Sequence, residues 1–227
     1  MVEQKSSPLI RALTDQDAPG FAHAYMECFP DDFFTGLGGG FLKHYCRQLA
    51  NDPLSVTSVL EDPQTGQIIG LAVGSMNLGL YSRVITRGPV TTFISVMVGI
   101  FKSSAVRKGV IRAIRSIKRV IRTENVVGTD HEEIPPITGK TARFIVVGVC
   151  QNWRGGGNAE RLVRHFTDQI FALGADRVTG IVHVTNPASL ILWKRLGWHL
   201  CRTTPSQYLI YVDKTESPAG PCGAGKS

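Results

Sequence analysis

Val149-Cys-Gln-Asn-Trp-Arg-Gly-Gly-Gly-Asn-Ala159 is the stretch on which the reading of the chain turns. Just upstream, Phe144-Ile-Val-Val-Gly-Val149 is an almost continuous apolar run, the pattern of a strand buried on both faces of a sheet. Downstream, Ala159, Leu162, Val163, Phe166, Ile170 and Leu173 recur at helical spacing and line one face. Gly174 then stands where a helix commonly stops in a left-handed cap. The segment therefore predicts a strand, a glycine-rich turn and a helix. Gly155, Gly156 and Gly157 remove side chains where the helix exposes its unpaired N–H groups. A helix start of that kind attracts phosphate through hydrogen bonds and the positive end of the helix dipole. Arg154 adds a fixed charge beside it. The chemistry indicated is a phosphate or pyrophosphate cradle.

Three loop patterns compete for that cradle. A dinucleotide fold wants an acid at the end of the next strand, and here Val178–Val184 runs into Thr185-Asn186. A Walker loop wants Lys-Ser or Lys-Thr after its last glycine, and here Asn158-Ala159 follows. The third pattern, Arg/Gln-x-x-Gly-x-Gly/Ala, is met at every specified position by Arg154-Gly-Gly-Gly157-Asn-Ala159. It resembles the coenzyme A loop of the GNAT superfamily of N-acetyltransferases. A later stretch, Asn186-Pro-Ala-Ser-Leu-Ile-Leu-Trp-Lys-Arg-Leu-Gly-Trp198, resembles that family's second motif: an Asn, a short helix with an aromatic, then Gly and an aromatic. Physically it is a well-signalled helix, with Asn186 as N-cap, Pro187 in the first position and Gly197 after the end. The resemblance covers roughly Arg143 to Asp213.

The resemblance implies an α/β fold, a mixed central sheet flanked by helices, that moves an acetyl group from acetyl-CoA to a primary amine. It places the pyrophosphate on Arg154, Gly155, Gly156, Gly157, Asn158 and Ala159, and polarises the thioester by backbone N–H groups of Val147 and Val149, where the two central strands splay. Asn186 and Ser189 would meet the pantetheine arm. The chain departs from the family at two catalytic positions. Trp193 stands where relatives often have a Tyr that protonates the leaving thiolate, and an indole is no practical acid. Ala142, Arg143 and Phe144 stand where relatives commonly carry a Glu or His base. Remaining candidates for a base are His183, Glu132, Glu133, Tyr208 and Tyr211, of which His183 has the best-matched pKa range. Cys150 reads as a packing residue, since direct transfer needs no acyl-enzyme.

Composition sets the wider frame. With 227 residues, 43% hydrophobic and 19% charged, the chain suits one folded domain, expected over residues 1–214. Five scattered cysteines without C-x-x-C read as reduced thiols of a cytoplasmic protein and suggest no metal site. The start lacks the apolar core of a signal peptide, and no apolar run reaches the ~18 residues that span a bilayer. The tail 215–227 is rich in Gly, Pro and Ser and is expected to be disordered. Gly220-Pro-Cys-Gly-Ala-Gly-Lys-Ser227 inside it matches the Walker letters, but no helix follows to aim N–H groups at phosphate, so the match reads as chance.

Along the chain, Leu9–Leu13 predicts a first strand and Thr14-Asp-Gln-Asp17 a helix start, with helical spacing to Cys28. A second helix is expected near Gly40–Ala50. Phe33-Phe-Thr-Gly-Leu-Gly-Gly-Gly-Phe-Leu42 resembles a segment of GNAT members linked to surface-polysaccharide synthesis, which would make the acceptor an amino sugar; read singly, its aromatic residues are core anchors. Ser55–Leu60 and Gln67–Gly74 predict a hairpin around Asp62-Pro-Gln-Thr-Gly66, and Cys201–Thr204 with Gln207–Val212 predict the closing strands.

Between strands 3 and 4 lies an insertion, about residues 80–140, far beyond an ordinary connection. Its helix, 102–122, carries Lys102, Arg107, Lys108, Arg112, Arg115, Lys118, Arg119 and Arg122, and these eight cations exceed the whole chain's net +7. Three readings stay open for it: a solvated cationic face, attachment to an anionic membrane at its inner face, or a platform for an anionic sugar acceptor. No nucleic-acid module accompanies the charge. A different class of function also stays open, a catalytically inactive acyl-CoA-binding module that regulates or sits at a membrane.

Overall fold

The computed structural model describes residues 7–77 and 139–216; the basic helix 102–122, Glu132, Glu133 and the Walker-like tail lie outside the described residues. Seven strands form one sheet: β1 (Leu9–Ala12), β2 (Ser55–Glu61), β3 (Ile68–Ser75), β4 (Thr141–Val149), β5 (Arg177–His183), β6 (His199–Thr204) and β7 (Gln207–Asp213). Their order across the sheet is β1-β2-β3-β4-β5-β7-β6. Neighbours run antiparallel except β4 and β5, so the sheet is mixed, as expected.

Helices α1 (Ala18–Cys28), α2 (Phe33–Gly36) and α3 (Gly39–Asn51) cover one face through Phe21, Tyr25, Phe34, Phe41 and Tyr45. Helices α4 (Asn158–Ala172) and α5 (Pro187–Arg195) cover the other through Leu162, Phe166, Ile170 and Trp193. The short α2 has no counterpart in the sequence expectations. Asp32 starts it by accepting the Phe34 N–H and ties it to α1 by accepting the Tyr25 hydroxyl, both at 2.9 Å. Of Phe33, Phe34, Phe41 and Leu42, read from their apolar character as core anchors, the last three are buried and Phe33 is half-buried against them. In α4, Leu162, Val163, Phe166 and Ile170 are fully buried, but Leu173 is 45% exposed. It occupies the C-cap just before Gly174, whose φ of +93° turns the chain away, and Phe171 takes the buried place.

Strand β3, third across the sheet, is buried at every position between α1 and α4. Its neighbour β4 departs from the continuous burial that its apolar run predicts: Ile145 to Gly148 are only half-buried. Pairing explains this. Only Thr141, Ala142 and Arg143 of β4 pair with Arg177, Val178 and Thr179 of β5, after which the two strands part. A β-bulge adds to the opening. Val73 faces Val146 but Gly74 faces Phe144, leaving Ile145 as the extra residue. Ile145 and Val146 consequently both pack toward α1–α3, while Phe144 and Val147 pack toward α4.

The N-terminal edge is held by charge. Arg11 bridges Asp17 at 2.7 Å and Glu61 at 2.6 Å, and Thr14 and Asp17 close a capping box. The bond from Arg11 is the main reason the Asp17 carboxyl lies below its ordinary range. A depressed carboxylate contributes stability above its unfolded pKa, and that contribution is lost as pH falls through the folded value. Arg11→Met should therefore lower stability at pH 7 and flatten the loss below about pH 4. Urea titrations at pH 7 and pH 3 on both proteins check this.

Candidate functional site

The parting of β4 and β5 opens a cavity of about 470 Å³. One wall is Val147, Gly148 and Val149, the floor is the loop from Arg154 to the start of α4, and the far wall is α5 with Asn186, Ser189 and Leu192. Two motifs roughly thirty residues apart thus face each other across a gap in the sheet. Cys28 and Phe29, at the end of α1, complete the lining.

The backbone of β4 presents donors to this gap. Cys150 N–H bonds back to the Ile69 carbonyl at 2.8 Å, toward β3. Strand alternation then turns the N–H groups of Val149 and Val147 the other way, toward the side β5 has left. Those two N–H groups therefore face the edge of β4 that β5 leaves unpaired. Arg154 strengthens the corner: its Nε donates to the Val149 carbonyl at 2.9 Å, which fixes the guanidinium against the strand end and leaves its other nitrogens toward the cavity. Among the described residues it forms no ion pair with an acid.

The loop itself is shaped by three successive positive φ angles, +86° at Gly155, +57° at Gly156 and +78° at Gly157. A Cβ at any of the three would meet nothing within 4 Å. Glycine is required here by backbone conformation and not by crowding, a refinement of the expectation from sequence. Asn158 N–H turns back weakly to the Gly155 carbonyl at 3.4 Å, and Arg161 N–H bonds the Gly157 carbonyl at 2.9 Å. Among the described residues, the N–H groups of Gly156, Gly157, Ala159 and Glu160 have no backbone acceptor. Those groups, the helix dipole and Arg154 together could hold an anion. Asn158 plays a different part from its neighbours. Its side chain is buried and donates to the Trp153 carbonyl at 2.9 Å, so it holds the loop's shape.

On the opposite wall, Asn186 caps α5 by accepting the Ser189 N–H at 3.1 Å, which leaves its amide nitrogen free to donate. Trp193 is buried and donates its indole N–H to Ser189 Oγ at 2.9 Å. Ser189 therefore accepts from the indole and keeps its own O–H as a donor beside the cavity. From sequence Trp193 is the aromatic of the second motif and no practical acid; its four-residue spacing from Ser189 on one helix is the signal for the pair.

His183 is not among the residues that line this cavity. It is exposed at the outer end of β5, with its Nε2 3.3 Å from the Gln207 amide nitrogen. Its carbonyl accepts the N–H of Asn186, which does line the cavity, at 3.0 Å. Tyr211 is buried, stacked on His199 and under the Arg177 guanidinium, and Tyr208 lies near Arg202. A second groove of about 430 Å³ lies beyond the strand end, between α1 and the β2–β3 turn, lined by Gln16, His23, Glu27, Gln67 and Asn152. Among the described residues no group of His, Cys, Asp or Glu is placed to hold a metal. No described helix is long and apolar enough to cross a membrane.

No family model matches the sequence, and no curated protein matches it significantly. Solved structures do. Arabidopsis thaliana NAA60 in complex with acetyl-CoA superposes with a TM-score of 0.54 at 14% identity, over 92% of this chain and 99% of that one. The GNAT domain of S. lividans PAT gives 0.53 at 11% identity, over 91% and 90%. An aminoglycoside N-acetyltransferase in complex with CoA gives 0.55 at 13% identity, over 90% and 95%. At such identities the likeness speaks for architecture: the chain has the fold of the GNAT acetyltransferases.

Proposed function

We propose that the chain transfers the acetyl group of acetyl-CoA to the primary amine of a small molecule, with an amino sugar as the acceptor class. The observation that carries the reading is the meeting of the Arg154–Ala159 cradle and the Asn186–Trp193 helix across the opening between β4 and β5. A binding role for a long phosphorylated thioester fits that shape. The cradle offers N–H groups and a cation to the pyrophosphate, and the unpaired edge of β4 offers strand-like hydrogen bonds to the amides of the pantetheine arm. The resemblance of Phe33–Leu42 and the cationic stretch 102–122 support an acceptor that is a sugar carrying negative charge.

When bound, the thioester supplies the activated acyl carbon; the chain's own groups orient it. The N–H groups of Val147 and Val149 are the donors available to a developing oxyanion. Ser189, held by the Trp193 indole, donates its hydroxyl toward the sulfur as charge builds there. It acts by hydrogen bonding and not as an acid. The amine gives up its proton to solvent in the open gap, since His183 is not among the residues that line it.

The test is thiol release from acetyl-CoA in the presence of a panel of amines and amino sugars. Wild type should release thiol only with an acceptor present. Ser189→Ala should lower kcat by roughly tenfold and leave the acetyl-CoA KM within about twofold, the loss of one hydrogen bond to a charged group in the transition state. His183→Gln should change kcat by less than about twofold and leave its pH profile in place. A lost limb in that profile would return His183 to the proton-transfer step. The buried indole in place of an acid favours one rival, an acyl-CoA-binding module without turnover. Binding of acetyl-CoA with no thiol release for any acceptor would favour it.

A further inference from the structure

We infer that Cys28 and Cys150 form a thiol pair that exchanges with small-molecule disulfides, Cys28 as the entry thiol and Cys150 as the resolving one. The two residues are 122 positions apart, yet their Sγ atoms lie 3.9 Å from each other. Cys28 is the last residue of α1, and Cys150 follows the last residue of β4. Gly148 is what lets them meet. A Cβ at that position would sit 2.7 Å from the Cys28 Cβ and 2.5 Å from the Phe29 ring, so any side chain there would push the end of α1 off the strand. A disulfide needs about 2.05 Å between sulfurs, a change within reach of side-chain rotation at both residues.

The two thiols differ in access. Cys28 is half-buried and lines the cavity between β4 and β5; Cys150 is 4% exposed. Their electrostatics differ in the same sense. The hydrogen bond from Cys150 draws the Cys28 thiol below its usual range, with the Arg154 charge helping and burial and Glu27 opposing. The same contact, with burial, pushes the Cys150 thiol up. The remaining described cysteines are poorly placed to compete. Cys46 is fully buried, with its thiol pushed up to about 12 by burial, and Cys201 is buried in β6.

The chemistry balances in two steps. The Cys28 thiolate attacks one sulfur of a small disulfide, forming a mixed disulfide and expelling one small thiolate. Cys150 then loses its proton to solvent and attacks the Cys28 sulfur, forming the Cys28–Cys150 disulfide and expelling the second small thiol. The protein dithiol is oxidised by two electrons, and the small disulfide is reduced to two thiols. Nothing in this sequence requires the acetyltransferase reading.

The experiment incubates the reduced full-length protein with glutathione disulfide, traps free thiols by alkylation, and maps the products by mass spectrometry. Wild type should lose the Cys28 and Cys150 thiols together, show one Cys28–Cys150 linked peptide and retain no lasting glutathione adduct on either. Cys150→Ser should stop at a single glutathione adduct on Cys28, formed at least about tenfold faster than any adduct on Cys46 or Cys201. Cys28→Ser should show neither linkage nor an adduct on Cys150. Retention of both thiols by wild type under excess glutathione disulfide would overturn the inference, and that arm needs no substitution. Adduct formation at Cys46 or Cys201 ahead of Cys28 would overturn it too.

Discussion

Gly157→Glu should weaken coenzyme A binding at least about 100-fold in calorimetric titration, with the far-ultraviolet spectrum of the folded protein kept. Two effects add. A side chain at φ +78° is strained by about 1–2 kcal/mol, which tilts the loop away from the conformation that aims its N–H groups. The new carboxylate also stands at the positive end of α4, where the pyrophosphate would lie. Gly157→Ala carries the strain alone and should cost only about tenfold. Open space around the Cβ position means that neither variant clashes with the core, so folding survives. Equal loss in both variants would leave the charge without a role and move the anion away from Gly157.

Gly74→Val should lower the thermal midpoint by roughly 10 °C, the second large effect. This glycine has no positive φ; crowding decides it. A Cβ there would lie 2.4 Å from the Phe166 ring and 2.8 Å from the Arg143 carbonyl. The ring can move only by leaving the cluster with Phe144, and the carbonyl belongs to the last residue of β4 paired with β5. Overpacking of that kind costs about 3 kcal/mol, which for a chain of this size gives the stated shift. The damage should reach the site, because the bulge at Ile145 begins beside Gly74. Gly40→Ala is the contrast. It lies in the first turn of α3 with nothing within 4 Å of its Cβ position, so it should be neutral or stabilising by up to about 1 kcal/mol.

Much of the fold was legible because its signals are local. Asn186, Pro187 and Gly197 bracket α5 as their types predict, with Gly197 at φ +78°. Asp62 and Gly66 close the β2–β3 turn, Gly66 at φ +68° and Asp62 accepting from Gln64 and Thr65. The strand, three glycines and amphipathic helix from β4 to α4 were legible for the same reason, as local signals in sequence order.

What stayed hidden depends on distant strands. The Phe144–Val149 run reads as fully buried, and it would be had β5 followed β4 along its length. Instead all seven residues of β5, from Arg177 to His183, pair with β7, so β5 follows that neighbour's course and leaves β4 after three residues. The open gap is a property of that competition, and no window of β4 alone contains it. The Cys28–Cys150 approach likewise rests on a glycine in β4 and the end of α1, brought together only by folding. Two local signals were available and passed over: Asp32 ahead of Phe33-Phe34, which starts α2, and Ser189 one turn before Trp193.

The central claim is that acetyl-CoA lies between β4 and β5 with its pyrophosphate on the start of α4. Amide chemical shifts test it most directly, by titrating coenzyme A into the nitrogen-15-labelled protein. The account predicts that the N–H groups of Gly156, Gly157, Ala159 and Glu160 move first and furthest, followed by Val147 and Val149, as donors without backbone acceptors gain them. Shifts confined to the groove lined by Gln16, His23 and Gln67, or no saturable shift at all, would contradict it.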